Sequence, residues 1–303
     1  MRQALSIGIV FLGVGATAPA ARAGARAAFL YALSDPTERA QYGADLAWDR
    51  FNSELYVTGP GVVSVFGDSG MMVHQFAEDP DAGIPIGVAP VGDRELVVLT
   101  LWQGATRVYR CNFRGDPIAR IPLPAEFESF GANGIATANG NVYLVNKQAL
   151  RVLALGLDGS KVGYFDLGPQ LGFDEAKRAD NDLRGFSVDR AGNLLMTIPT
   201  QFAAYVVSPE GRVRSFGQRG SSAGKFSVVA GIAADDEGHI YVTDILRAVV
   251  MVFDAGFRFL GEFGYRGGEP GNLVGPSTIV IGNGRAYVSQ SVGPVKVFGM
   301  QFD

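Results

Sequence analysis

Cysteine occurs once in the 303 residues, as Cys111, and histidine twice, as His74 and His239. A lone cysteine excludes an intramolecular disulfide and a C-x-x-C-H haem attachment. Cys111 sits in RVYRCNF (107–113), a stretch where a buried thiol is the expected state. Zinc sites draw three or four ligands mainly from His and Cys, and these three residues fall in different parts of the chain, so zinc is not expected. Charge is also scarce: 18% of residues are charged, 26 basic against 30 acidic, for a net charge of −4. Nucleic acid and anionic membrane require a basic footprint, so neither is an expected partner. No G-x-S-x-G marks a nucleophile, and no glycine loop carries the Lys-Ser/Thr of a phosphate-binding loop. No long helical period is present; short helical turns fit only near residues 37–44 and 174–182.

The N-terminal apolar run, residues 4–14, is well short of the ~20 residues that span a bilayer. It reads instead as the centre of a secretory signal over residues 1–23. Arg2 supplies positive charge before the run, and Ala21-Arg22-Ala23 is a small-x-small cleavage site after it. Cleavage would remove Arg2 and Arg22 but no acid, leaving 24 basic against 30 acidic residues, about −6. The expected product is residues 24–303, secreted or periplasmic, with no membrane insertion.

Glycine is abundant, at 41 residues, and 47% of the chain is hydrophobic. The glycines are periodic. Residues 217–235 match 264–282 at a single offset, setting Gly217 on Gly264, Gly220 on Gly267, Gly224 on Gly271 and Phe226 on Leu273. Apolar strand centres recur at Tyr56, Val97, Tyr143, Leu195, Tyr241 and Tyr287, spaced by 41, 46, 52, 46 and 46 residues. Repeats of this length, each holding several short strands, are the signature of propeller blades. Each unit opens with a small apolar strand such as GIATA (134–138) or GIAAD (231–235). Fuller strands such as NVYLVN (141–146) and VVMVFD (249–254) follow, and turns such as Asp158-Gly159 and Glu210-Gly211 lead to a fourth. The middle strands are continuous apolar runs, as burial on both faces demands.

The sixth unit ends after its third strand. The missing fourth has a donor in AAFLYALSD (27–35), ahead of the first complete unit. The expected fold is therefore all-β: a six-bladed β-propeller of four-stranded antiparallel blades, closed by the N-terminal strand completing the last blade.

The pattern GxxGxxxGxF…xGIAxD…HIYVTD…R…VxVFD in residues 217–254 resembles the NHL repeat of six-bladed propellers; residues 264–298 match it well and the other units only in rhythm. The resemblance implies a module that binds proteins, RNA or other polymers, with a minority of enzymes. The family's Asn-His-Arg turn is reduced here to Asp244…Arg247. The acidic, exported character of the chain disfavours RNA. It leaves a non-catalytic binding or scaffold propeller, holding a protein, peptide or glycan partner on its loop face, as the leading expectation. No cofactor is required by it.

Candidate binding residues follow from the loops. Arg219 and Arg266 share the repeat offset, and Lys225 and Arg184 enter the same face; they would suit a carboxylate, a sugar acid or an acidic segment. Loop acids such as Asp182 and Glu269 would otherwise pair with them. The alternative is a calcium-dependent lactonase-like hydrolase or lyase with its site in the channel. Oxygen ligands suffice for calcium, and Asn133, Asp180, Asn181 and Asp182 lie at or before inner strands, with Asp45 the one match to the early acid of lactonase-like propellers. The zinc-dependent amidating lyases need three histidines that this chain lacks.

Overall fold

The computed structural model describes residues 24–34 and 44–303. The signal over residues 1–23 and, apart from Ala44, the helical turn near 37–44 lie outside them. Six four-stranded antiparallel sheets form the blades. Blade 1 is β2 (Asp45–Asp49), β3 (Glu54–Gly59), β4 (Val62–Phe66) and β5 (Met72–Ala77). Blade 2 is β6 (Ile84–Gly92), β7 (Glu95–Trp102), β8 (Ala105–Asn112) and β9 (Pro117–Ile121). Blade 3 is β10 (Gly134–Ala138), β11 (Asn141–Asn146), β12 (Arg151–Leu155) and β13 (Lys161–Asp166). Blade 4 is β14 (Phe186–Val188), β15 (Leu194–Ile198), β16 (Ala203–Val207) and β17 (Val213–Phe216). Blade 5 is β18 (Val229–Ala234), β19 (Ile240–Asp244), β20 (Val249–Phe253) and β21 (Phe259–Gly264). Blade 6 is β22 (Pro276–Gly282), β23 (Arg285–Gln290), β24 (Lys296–Phe302) and, from the other end of the chain, β1 (Ala25–Ala32).

The closure is antiparallel, running from Ala25 opposite Phe302 to Ala32 opposite Lys296. The strand ARAAFLYA alternates as this requires: Ala25, Ala27 and Phe29 pack into the core while Arg26, Ala28 and Leu30 face solvent. It begins two residues earlier than the sequence pattern suggests, and Arg26 adds an exposed ion pair to Asp303 at 2.8 Å. Closing the ring through both termini leaves no blade without a neighbour.

Every interface between neighbouring blades holds its own apolar cluster, six in all. The six repeat centres lie in them, from Tyr56 at 0% exposure to Tyr143 at 7%. Most of the hairpin turns joining third to fourth strands share one device: a four-residue turn whose last residue has positive φ. Gly159 and Gly211 take φ of 83°, as the Asp-Gly and Glu-Gly pairs foretell, while Phe257 takes 70° at the equivalent position of blade 5.

The inner strands crowd at the axis, and glycine is required there. A Cβ on Gly231 would stand 2.5 Å from the Ser277 carbonyl oxygen and 2.9 Å from the Ile279 nitrogen, both backbone of the next blade. Hydroxyls stitch these strands. The Gly231 N–H donates to Thr243 Oγ1 at 2.7 Å, and that hydroxyl donates on to the Ser277 carbonyl at 3.1 Å. Thr197 makes the same two bonds one blade earlier, to Gly185 and to the Ala230 carbonyl.

Candidate functional site

The upper face carries the loops that join one blade to the next and the turns between second and third strands. Both glycine loops are built alike there. Arg219 bridges Phe226 and Arg266 bridges Leu273, at the offset read from the sequence. Phe226 and Leu273 are fully buried beneath their loops, Phe226 against Phe216 and Phe253, both at 5.8 Å. A polar residue ending the second strand clamps each loop as it leaves. Asp244, at 0% exposure, accepts from the N–H groups of Ser227 (2.6 Å), Val228 (3.2 Å) and Arg247 (3.0 Å). Gln290 does the same for Val274 at 2.9 Å. Arg247 ion-pairs with Glu262 at 2.7 Å, both side chains nearly buried, and also holds the Lys225 carbonyl. This arginine is structural.

The clamped loops push apolar side chains outward. Val228, Leu246, Tyr265, Val274 and Val292 are all exposed, Leu246 and Val292 at 58%. The Ile245 N–H donates to the Val228 carbonyl, Arg266 donates to the Leu246 carbonyl at 3.0 Å, and Ser291 bonds to both Val274 and Gly275. Those bonds set the five on adjacent loops over blades 5 and 6. Arg219 lies over the Phe202 ring at 4.9 Å. Among the described residues, Arg219, Lys225 and Arg266 have no carboxylate partner; neither Asp182 nor Glu269 reaches them.

Arg184 lies elsewhere, at the channel. The residue just before GIATA in blade 3 is Asn133; the equivalent repeat positions, in blade order, are Asp45, Ile86, Asn133, Arg184, Ala230 and Ser277, at or beside the upper end of each inner strand. Asp45, Arg184 and Ser277 line a cavity of about 180 Å³ there, joined by Lys147. The insertion after blade 3 sets Arg184 in place. Its helices α1 (Leu167–Gln170) and α2 (Glu175–Ala179) are anchored by Arg178, which bonds to the Ala149 carbonyl and to Asp166 at 2.8 Å. Leu183 is buried, and its N–H donates to the Lys147 carbonyl at 3.0 Å. Two cations, from blades 3 and 4, thus line one cavity with Asp45 of blade 1, the blade diametrically opposite blade 4.

Lys147 is not among the residues the sequence singles out, yet it leaves a signal there. Four residues past each strand centre stand Pro60, Leu101, Lys147, Pro199, Ile245 and Ser291, and lysine is the one charge in the series. The remaining candidates are spent or apart. Asn133 accepts from the Lys147 N–H at 2.9 Å and donates to Gln148. Asn181 is buried, tied to Thr200, Gln201 and Lys177, and Asp180 ends α2. Asp182 is exposed. Calcium needs six to eight oxygen ligands. The upper cavity offers one carboxylate facing two cations, and among the described residues no three carboxylate, His or Cys groups converge on a metal-sized site. That donor set does not fit calcium.

A lower cavity of about 840 Å³ opens at the opposite mouth; Trp48, Pro90, Thr137, Ser187, Val188 and Val280 line both and form the waist. At its rim Asp236 pairs with Arg190 at 2.5 Å and Arg50 at 3.4 Å. Asp235 accepts from Tyr241 and contacts His239, both at 2.9 Å, and burial, reinforced by Asp235, pushes the Tyr241 hydroxyl pKa well up. His239 stacks on Phe302 at 3.9 Å. His74 sits on the outer strand of blade 1 against the Arg114 carbonyl. Neither histidine lines the upper cavity. Cys111 is buried, and burial with nearby Asp79 and Asp116 pushes its thiol up to about 12.

No known family description matches the chain, and no curated protein is similar in sequence. Solved structures are similar in fold. A protein of unknown function from Bacteroides thetaiotaomicron superposes with a TM-score of 0.63 at 12% identity, over 92% of this chain and 76% of its own. A luciferin-regenerating enzyme gives 0.61 at 12%, over 91% and 95%. Catalytically inactive virginiamycin B lyase from Staphylococcus aureus, solved with quinupristin, gives 0.57 at 12%, over 87% and 82%. At such identities the likeness is one of fold. The chain is a six-bladed propeller.

Proposed function

We propose that this chain is an exported binding propeller of the NHL type, cleaved after Ala23, which holds a protein partner on the upper face of blades 5 and 6. The observation that carries this reading is the exposed group Val228, Leu246, Tyr265, Val274 and Val292, set among Arg219, Lys225 and Arg266 without ionic partners among the described residues. Contiguous exposed apolar surface rimmed by polar groups marks an interaction site. Three free cations around it select a partner whose apolar contact is bordered by acidic residues. The hydrogen-bonded loops beneath hold this surface in shape before binding, which lowers the ordering cost of association.

Site-specific photo-crosslinking in cells tests the reading. A photoreactive residue in place of Leu246 or Tyr265 is expected to capture one discrete protein. The same residue in place of Phe51, equally exposed on the lower face, is expected to capture none. Charge reversal through Arg219→Glu with Arg266→Glu should abolish the adduct. Identical capture patterns from both faces, or no discrete adduct from the upper one, would overturn it.

A further inference from the structure

We propose that the upper channel cavity binds a small hydroxylated monocarboxylate, of the sugar-acid class, with Arg184 and Lys147 gripping its carboxylate. This goes beyond protein docking and occupies a different part of the molecule.

Four observations converge. The first is charge. Lys147 and Arg184 line one cavity, joined through the Leu183-to-Lys147 backbone bond, and neither has a carboxylate partner among the described residues. Lys147 is half-buried and Arg184 exposed; two like charges lining one cavity repel each other, and a counter-anion relieves that repulsion. A carboxylate bridging a guanidinium and an ammonium answers that need with charge-assisted hydrogen bonds. The second is the sign balance. Asp45 faces them from blade 1, so the three side chains carry a net single positive charge. A monoanion neutralises it, whereas a dianionic phosphate leaves an excess beside Asp45. The third is hydrogen-bonding capacity. Each inner strand is paired on one side only, leaving its other edge of peptide groups toward the axis. Ser187 Oγ, in the wall of the same cavity, is buried without a hydrogen-bond partner. That hydroxyl has almost no accessible surface, so the ligand hydroxyls are met instead by the free peptide edges and by Asp45, which among the described residues accepts only from the Leu46 N–H at 3.2 Å. The fourth is shape. The cavity of about 180 Å³ has small or aliphatic walls, including Ile135, Ile232 and Ile279, which suit the C–H face of a monosaccharide-sized ring.

Calorimetric titration of the full chain with D-galacturonate as the probe is the test, with D-galactose, inorganic phosphate and 6-aminohexanoate as comparisons. Saturable one-to-one binding of galacturonate is expected, with galactose and phosphate each weaker by at least about tenfold. Arg184→Gln and Lys147→Gln should each weaken galacturonate by at least about tenfold, the loss typical of a charge-assisted contact. Asp45→Asn should shift preference toward phosphate. Upper-face crosslinking from Leu246 should persist in the Arg184 and Lys147 variants, which shows that they fold and separates this site from partner docking. No saturation by about 10 mM galacturonate, wild-type binding by the variants, or tighter binding of 6-aminohexanoate would each overturn the assignment.

Discussion

Replacing Gly231 by alanine probes the tightest point of the ring. At an ordinary strand position this change stabilises by about 0.4–1 kcal/mol, because alanine has less backbone freedom to lose. Here the added methyl would lie 2.5 Å from the Ser277 carbonyl oxygen, 2.9 Å from the Ile279 nitrogen and 3.0 Å from the Thr278 Cα. All three are backbone of blade 6, so no flexible side chain can give way. Overpacking a rigid core costs about 1–3 kcal/mol. Parting the blades also strains the Gly231–Thr243–Ser277 hydrogen-bond bridge, each bond being worth about 0.5–1.5 kcal/mol net. The expected loss is about 3 kcal/mol, or a fall in Tm of about 6 °C or more for a domain of this size. Gly92→Ala is the control: a Cβ there meets nothing within 4 Å, so its effect should stay within about 0.5 kcal/mol. Thermal and urea melts of the two variants beside the parent decide the matter. Equal midpoints for Gly231→Ala and Gly92→Ala would refute the close approach of inner strands on which the channel geometry rests.

Asp244→Ala removes the acceptor for three backbone N–H groups and should cost about 2–4 kcal/mol; hydrogen exchange should speed up across residues 217–228 and leave blade 2 unchanged. Deleting residues 24–34 strips the outer strand from blade 6 and exposes the face of β24, so Tm should drop by well over 10 °C, or about 3 kcal/mol at least, with aggregation; an unchanged melt would contradict closure by β1. Cys111, buried with its thiol pushed up to about 12, should resist thiol reagents in the native protein at neutral pH and react at once on unfolding. The backbone N–H of Arg258, with its side chain and the Gly256 N–H, holds the Asp254 carboxyl below its ordinary range. Its stabilising contribution is therefore present above the unfolded carboxylate range and lost as pH falls through the lower folded value. The Tm advantage of the parent over Asp254→Asn should accordingly shrink on acidification from about pH 6 to about pH 3.

Much of the channel wall is legible in the amino-acid pattern. The small residues opening each repeat, Gly134 and Gly231 among them, announce crowding at the axis, and the shared offset of Gly217 and Gly264 announces two loops of one build. The loop cations are legible as a set but not as a geometry. Arg184 belongs to the channel, whereas Arg219 and Arg266 border the apolar surface over blades 5 and 6. Asn133 and Asn181 look like free ligands in the sequence because a one-dimensional pattern does not reveal which amides are already spent on loops.

The amino-acid order by itself determined the number of blades, the strands within each and the joining of the two ends. A blade is a run of consecutive hairpins, so its signals of turn glycine, apolar run and period lie close together along the chain. Only the closed ring decided which side chains meet. Lys147 and Arg184 are 37 residues apart in different repeats, and no local preference pairs them. They become neighbours because packing blade 3 against blade 4 brings a turn of one onto the entry strand of the other.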